Sequence, residues 1–315
     1  MLRCAATVVG GVGYKPVTCV GVFDASVLSQ AALAGGVCRP VDVGGMRRLA
    51  QPQAGTGPEM VYAISGSHEL LRLEAAQPSR VIERKPLTGL APGDALIGID
   101  FRVARGVLYA LSRSGQLYRV DRANGVLSPV GAVTVALPLD GAVIGFDFNP
   151  TVDRIRVVTP SGHNLRLHPD TGAMVDGDAT RDGVQPDGAL RYVVGDVNFG
   201  SAPDIAGAAY TYNTRDETIT TNYAIDRARG ALVMQGSLEG AVPVVSPNTG
   251  QLRTVGALGL GALTDVAFDI SDVANTALIA VRTASEPRTR LHRVDLATGR
   301  ATDLGQVGDG SALIG

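Results

Sequence analysis

The sequence predicts an all-β protein in which residues 60–315 form a five-bladed β-propeller, and three observations support this fold class. A unit of roughly 47 to 62 residues recurs from Val61 to the C-terminus. Within each unit the apolar segments are short and alternate in the manner of strands. The chain has 40 glycines and 17 prolines among 315 residues, which is typical of a protein with many tight turns.

Residues 1–59 precede the repeats and are predicted to be an irregular segment that ends in a linker. The pattern of Ala25–Leu33 is compatible with a short helix, and little else in this segment is periodic. The uncharged stretch Gln51–Pro58 is rich in Pro, Gly and Gln, which indicates the linker itself. Residues 60–315 are therefore expected to fold as the propeller domain.

Composition excludes several functional classes. The chain has 28 basic and 30 acidic residues with no block of like charge, so no nucleic-acid surface is expected. No stretch approaches 18 consecutive apolar residues, so no transmembrane segment is expected, and residues 1–20 make a poor signal peptide. The three cysteines, Cys4, Cys19 and Cys38, form no CxxC pair, which argues against a structural zinc site.

Each blade is predicted to begin with a short inner strand of small apolar residues. Four segments fit this description: Ile97–Phe101, Ile144–Phe148, Ala206–Tyr210 and Thr264–Phe268. After the first of them come three further strands, Leu108–Leu111, Gln116–Asp121 and Val126–Gly131. Four strands per unit is the architecture of a propeller blade.

The first unit lacks an inner strand of this kind, whereas the chain ends with Ser311–Gly315, which has the right sequence for one. We therefore expect the C-terminal strand to pair into the first blade and close the ring, which would leave no free sheet edge. Counting inner strands in this way gives five blades. Hairpin turns with Asp at the strand end and Gly four residues later are expected at Asp121–Gly125, Asp226–Gly230 and Asp295–Gly299.

Several longer motifs resemble the bacterial domain-of-unknown-function family 4394. They are Gly145–Val158, Asn164–Ala173, Gln185–Leu190, Gly195–Asn198, Ala208–Thr211 and Leu252–Gly259. The resemblance covers about residues 61–315. It implies a propeller of a kind found mostly in exported bacterial proteins, so an extracellular or cell-envelope location is expected. The family has no assigned activity, so no catalytic residue is carried over.

Asp100 and Asp147 occupy the same place in consecutive inner strands, and this pattern predicts that they approach each other near the central channel. Paired carboxylates there would suit a hard cation such as Ca²⁺. The alternative is structural, because inner-strand carboxylates also accept hydrogen bonds from the backbone of the neighbouring blade. The alignment places Ala209 and Ala267 at the matching positions of the fourth and fifth blades, so no complete ring of carboxylates is expected.

The loop Phe148–Arg154 follows an inner strand directly, on the face where propellers present binding loops. Asn149, Asp153 and Arg154 are the candidate ligand-binding residues, and the first two could add oxygen ligands to Asp147. The alternative is a type I turn with Asn first and Pro second.

Two further groups of charged residues have a structural interpretation. Arginines recur at one register position of four blades, Arg72, Arg119, Arg166 and Arg293, and are expected to pair with a carboxylate or carbonyl of the scaffold. The insertion Met174–Asp204 holds six aspartates and is expected to be a solvated acidic loop, although an irregular calcium site would also suit it.

The sequence favours a non-enzymatic binding or scaffold module that contacts a protein or a small ligand through loops on one face. The alternative is a metal-dependent hydrolase, similar to a lactonase, with a divalent cation at the channel mouth. Propellers serve both classes of function, so the fold does not choose between them.

Overall fold

The computed structural model describes residues 59–132, 137–139, 143–272 and 274–315. Within these ranges the chain forms twenty strands in five sheets, with two single-turn 3₁₀ helices at Val103–Arg105 and Pro247–Thr249. The predicted helix and linker, Ala25–Leu33 and Gln51–Pro58, lie outside the described residues. No helix in the described part of the chain is both long and apolar enough to cross a bilayer.

Each sheet is one blade, and apart from β20 and β11 the strands run outward from the centre in chain order. The first blade contains β1 (Met60–Ser65), β2 (Glu69–Glu74) and β3 (Val81–Pro86), with β20 (Leu313–Ile314) at its inner edge. The second contains β4 (Leu96–Arg102), β5 (Val107–Ser112), β6 (Leu117–Val120) and β7 (Leu127–Val130). The third contains β8 (Gly145–Asn149), β9 (Arg154–Val158) and β10 (Asn164–Leu167).

The fourth blade contains β12 (Ile205–Tyr210), β13 (Asn222–Asp226), β14 (Ala231–Gln235) and β15 (Gln251–Ala257), and β11 (Arg191–Tyr192) adds a parallel fifth strand outside β15. The fifth contains β16 (Leu263–Ile270), β17 (Ala277–Thr283), β18 (Arg290–Val294) and β19 (Ala301–Gln306). The predicted five-bladed all-β fold is therefore confirmed. The prediction of four strands per blade is only approximate, because the third blade replaces its outer strand with a single bridge from Leu167 to Met174.

The inner strands of the second, third and fourth blades pack so closely against the next blade that a side chain would not fit at one position of each. A Cβ atom on Gly98 would lie 2.7 Å from Cβ of Phe146, and one on Gly145 would lie 2.6 Å from the backbone N of Ala208. Gly207 approaches Phe268 in the same way. In each case the glycine lies against the next blade, at the residue that follows the equivalent position there. These contacts set the spacing between neighbouring inner strands.

The C-terminal strand lies where the sequence places it. β20 pairs antiparallel with β1 through Ile64 with Ile314 and Ser65 with Leu313, and it lies beside the inner strands β4 and β16. The pairing extends over these two residue pairs, and closure of the whole inner edge stays a prediction. The three predicted hairpin glycines, Gly125, Gly230 and Gly299, all have positive φ, as expected.

The core lies between the blades rather than within one sheet. Between the second and third blades, Tyr109 packs against Phe148 with ring centroids 5.2 Å apart, in a cluster that includes Leu117 and Ile155. Aromatic and branched residues on facing sheets bury large apolar areas, which stabilises the contact between neighbouring blades. The blades therefore hold the loops at their ends in fixed relative positions.

Candidate functional site

Three carboxylates meet at the centre of the ring. Asp100, Asp147 and Asp269 each offer a carboxylate oxygen within 4.8 Å of the others. The predicted approach of Asp100 to Asp147 is confirmed. The expectation of alanine in the fifth blade is wrong: Asp269, rather than Ala267, stands at the matching position.

The misplacement has a simple cause. The sequence alignment matched Phe268 to Phe148, the aromatic residue that follows the aspartate. In the structure Phe268 contacts Gly207 as Phe146 contacts Gly98, so Phe268 corresponds to Phe146. The residue after Phe268 is then the carboxylate that the alignment missed. The fourth blade has Ala209 at this position, so the ring of carboxylates is incomplete, as predicted.

The carboxylates of the second and third blades accept backbone hydrogen bonds from the next blade. Phe148 N–H donates to Asp100 Oδ2 at 2.6 Å, and Tyr210 N–H donates to Asp147 Oδ2 at 2.9 Å. Asp100 and Asp269 also accept from the N–H of the residue that follows each of them, at 2.5 and 2.7 Å. These contacts are the structural interpretation that the sequence left open, and they link the inner strands around the ring.

Burial and mutual repulsion both act on these acids. Burial raises the pKa of Asp100 and Asp147 well above the usual range. The charge of Asp269 adds to the effect at both acids, and the charge of Asp100 adds to it at Asp147. The pKa of Asp269 is also raised, first by its removal from bulk solvent at the centre of the ring and then by the charges of Asp272 and Glu59, although the residue keeps an exposed fraction. The cluster therefore retains protons more strongly than isolated carboxylates do, or else needs a cation beside it.

A cavity of about 340 Å³ opens beside this cluster, and we call it the channel-mouth cavity. Its polar lining includes Asp100, Asp269, Asp272, Tyr212 and Glu59. The pKa of Tyr212 is raised, first by burial and then by the charges of Asp147, Asp100 and Asp269. The lining of the cavity is acidic, so the cavity would favour positively charged groups or ions.

The predicted ligand loop does not join the carboxylate cluster as a unit. Asn149 Oδ1 accepts hydrogen bonds from the backbone N–H and the hydroxyl of Thr151 at 2.9 and 2.7 Å, which is the turn that the sequence offered as the alternative. Asp153 forms a two-point ion pair with Arg102 of the second blade at 2.8 and 2.5 Å. The Arg102 side chain is buried and also contacts Asp170, so these carboxylates connect two blades.

A larger cavity, of about 440 Å³, lies between the third and fourth blades, and we call it the blade 3/4 cavity. Asn149 and Arg154 line it, together with residues of two fourth-blade loops, at Thr218–Thr220 and Ser237–Asn248. Two of the three predicted ligand-binding residues therefore share one cavity. A third cavity, of about 280 Å³, lies between the first and fifth blades beside Gly66 and Gly308.

The floor of the blade 3/4 cavity contains a buried ionic network that sequence reasoning missed. The guanidinium of Arg156 is fully buried and donates to Tyr210 Oη at 3.1 Å, Asn164 Oδ1 at 2.7 Å, Asp187 Oδ2 at 2.6 Å and Asn248 Oδ1 at 2.6 Å. Arg166 also contacts both oxygens of Asp187. The expectation that the Met174–Asp204 insertion is a solvated acidic loop is wrong for Asp187, which is the buried counter-ion of two arginines.

The repeated arginines pair with a carboxylate, as predicted, in two blades, and in a third blade the arginine contacts a tyrosine hydroxyl instead. Arg72 pairs with Glu83 at 3.2 Å, Arg119 donates to Tyr109 Oη at 3.3 Å, and Arg166 pairs with Asp187 at 2.8 Å. Each contact joins a strand to a neighbouring strand or loop. The position is therefore structural in these three blades.

Solved structures show similarity to the chain in fold alone. A candidate 6-phosphogluconolactonase from Bacteroides uniformis ATCC 8492 is 15% identical, with 82% of this chain and 71% of that chain covered and a TM-score of 0.38. A structural genomics protein of unknown function from Bacteroides thetaiotaomicron VPI-5482 is 13% identical, with coverage of 81% and 62% and a TM-score of 0.44. YCF48 from Cyanidioschyzon merolae is 13% identical, with coverage of 79% and 71% and a TM-score of 0.37.

No curated protein matches the chain at a significant level. The model of one family, the domain of unknown function DUF4394, matches residues 69–315. This range covers most of the chain, from β2 in the first blade to β20, and leaves out β1, in agreement with the resemblance seen in the sequence. The protein belongs to the DUF4394 family.

Proposed function

We propose that this protein is a non-enzymatic binding module that contacts its ligand or partner through the loops that follow the inner strands. The observation that carries the proposal is the position of the two larger cavities. The blade 3/4 cavity includes the loops after β8 and β12, and the channel-mouth cavity includes the loops after β4, β12 and β16. Loops held on a rigid scaffold are the usual place for binding residues.

The exposed apolar residues of this face provide a way to test the proposal. Leu238 and Val244 border the blade 3/4 cavity and are 52% and 77% exposed. Val197 is 85% exposed and lies in the loop that precedes β12, at the opposite end of the inner strands. The two valines are therefore a matched pair, one on each face of the ring.

The experiment immobilises the full chain as wild type, Val244→Asp and Val197→Asp, and quantifies co-retained proteins from the source cells by mass spectrometry. We expect the Val244→Asp variant to lose a partner that the Val197→Asp variant keeps, because a buried carboxylate would oppose docking on the loop face. Equal retention by both variants, or loss with Val197→Asp alone, would contradict the proposal. An extracellular or cell-envelope location stays a prediction from the family resemblance.

A second candidate function, a metal-dependent hydrolase, is supported by the cluster of Asp100, Asp147 and Asp269. Both oxygens of Asp100 already accept backbone hydrogen bonds, so Asp147 Oδ1 and Asp269 Oδ2 are the best-placed ligands for Ca²⁺ or another hard cation. A cation there would also offset the repulsion that raises the pKa of these acids.

Elemental analysis of the untreated protein and melting curves with Ca²⁺, with other divalent cations and after chelation test this candidate. A stoichiometric ion and a rise in melting temperature that is lost in Asp269→Asn would support it. Asp269 is the informative position, because its carboxylate accepts no hydrogen bond from another blade within the described residues. Absence of both the ion and the shift would exclude the cation site.

A further inference from the structure

The blade 3/4 cavity has more positive than negative side chains around it. Arg154, Arg156 and Arg166 line it, and Asp187 beneath them is shared by the last two. The guanidinium of Arg154 donates to the carbonyls of Val152 and Asp153, and no carboxylate lies within ion-pair distance of it among the described residues. On the opposite wall, Glu239 is already held by Thr211 and Asn213. Three cations therefore face two carboxylates.

Unpartnered polar atoms lie under the same cavity. Asn222 is 1% exposed, and neither its Oδ1 nor its Nδ2 has a hydrogen-bond partner in the described part of the chain; the same holds for Oε1 of the buried Gln235. Asn222 pairs across the sheet with Tyr210 on one side and Gln235 on the other, so the three side chains share one face of the blade. Tyr210 lines the cavity, and Gln235 donates to the carbonyl of Pro247, which also lines it.

Buried polar groups in native proteins nearly always have a partner, which is a protein group, an ordered water or a ligand. Two of these three atoms are acceptors and one is a donor, so they show only that the surroundings of the cavity are polar. The excess of positive charge is the observation that indicates a negatively charged occupant. The rim is different, because Val152, Leu238 and Val244 are all more than half exposed there. Such an apolar rim suits a hydrocarbon group that extends from the polar floor.

We propose that the blade 3/4 cavity binds a small organic anion, with its charged group beside Arg154 and its apolar body against the rim. This inference rests on the proposed function and names the ligand class for one of its two cavities. Guanidinium groups bind carboxylates and phosphates through charge-assisted hydrogen bonds, and a cavity of about 440 Å³ lies in the range of small-molecule sites. Carboxylate and phosphate ligands of this class share an anionic head group on a short apolar chain.

The test uses three probes of equal chain length: hexanoate, hexyl phosphate and hexanol. Binding of each to the full chain is measured by ligand-observed NMR. We expect at least one anion to bind about tenfold more tightly than hexanol, the difference that one charge-assisted contact provides. The two anions distinguish a carboxylate ligand from a phosphate ester. Equal affinity for hexanol and both anions would overturn the inference.

Arg154→Gln should remove the preference for the anion, whereas Arg113→Gln should keep it. Arg113 is exposed in the turn between β5 and β6, so its replacement changes the net charge equally without touching the cavity. Equal loss in both variants would indicate attraction by the overall charge and would contradict the proposed site. If no anion binds but Val244→Asp still loses a partner that Val197→Asp keeps, the inference is wrong and the proposed function stands.

Discussion

The carboxylate of Asp147 accepts a hydrogen bond from the backbone N–H of Tyr210 at 2.9 Å, across the boundary between the third and fourth blades. Asp100 makes the same contact with Phe148 at 2.6 Å, one blade earlier. In propellers the blades contact each other mainly through apolar side chains. A buried carboxylate that accepts a hydrogen bond from the backbone of the next blade fixes the orientation of the two blades more closely than apolar contacts do. The same carboxylates repel one another, so each of them contributes both a stabilising hydrogen bond and a destabilising charge.

Asp147→Ala should destabilise the protein more than Asp147→Asn does. Alanine leaves the buried Tyr210 N–H without its acceptor, which costs about 1–3 kcal/mol. Asparagine keeps an oxygen in place and removes one negative charge from the cluster. Urea denaturation of both variants at pH 8 measures the difference. If the two variants unfold at the same urea concentration, the hydrogen bond to Tyr210 does not stabilise the fold.

The stability of the wild type relative to Asp147→Asn should fall as the pH rises. Burial raises the pKa of Asp147 in the folded protein, so the folded state holds the proton more tightly than the unfolded state, whose pKa is about 3.9. The stability that protonation contributes is therefore complete below that pH and is lost as the pH rises through the folded value. Unfolding at pH 5 and pH 8 should show a growing advantage for Asp147→Asn.

Asp182→Asn provides the control for the effect of pH. Asp182 is exposed in the Met174–Asp204 loop, so its replacement removes one carboxylate without touching the cluster. The difference between this variant and the wild type should stay nearly constant with pH. A flat difference for Asp147→Asn as well would show that the folded state does not raise the pKa of Asp147.

The sequence could predict the ring but only part of the site. The inner strands of the second to fifth blades are recognisable because close packing requires a small residue at one position, which is Gly98, Gly145 and Gly207 in the first three of them. In the fifth blade Ala267 takes that position, so the alignment followed the phenylalanine instead and lost Asp269. The pairing of Arg156 with Asp187 joins residues 31 positions apart, and no local spacing indicates it. A contact that depends on how a long loop folds back over a blade is visible only in three dimensions.

Asp187→Ala should be among the most destabilising single changes in the fourth and third blades. It leaves the buried Arg156 and the partly buried Arg166 without their carboxylate, and breaking a buried ion pair from one side costs about 3–5 kcal/mol. Asp182→Ala, in the same loop, should change the free energy of unfolding by less than about 0.5 kcal/mol. Chemical denaturation of both variants tests this, and similar midpoints would mean that solvent replaces the lost contacts.

Gly145→Ala should destabilise the ring because its new methyl group would meet backbone and side-chain atoms of two strands. The added Cβ would lie 2.6 Å from the backbone N of Ala208 and 2.5 Å from Cγ2 of Val158, so the inner strands would have to separate. Overpacking of this kind costs about 1–3 kcal/mol. Gly66→Ala is the matched control, because the nearest atom to its Cβ is 3.8 Å away and its φ is not positive. Melting temperatures should fall by several degrees for Gly145→Ala and stay close to the wild type for Gly66→Ala, and an equal response would mean that the inner strands move apart at no cost.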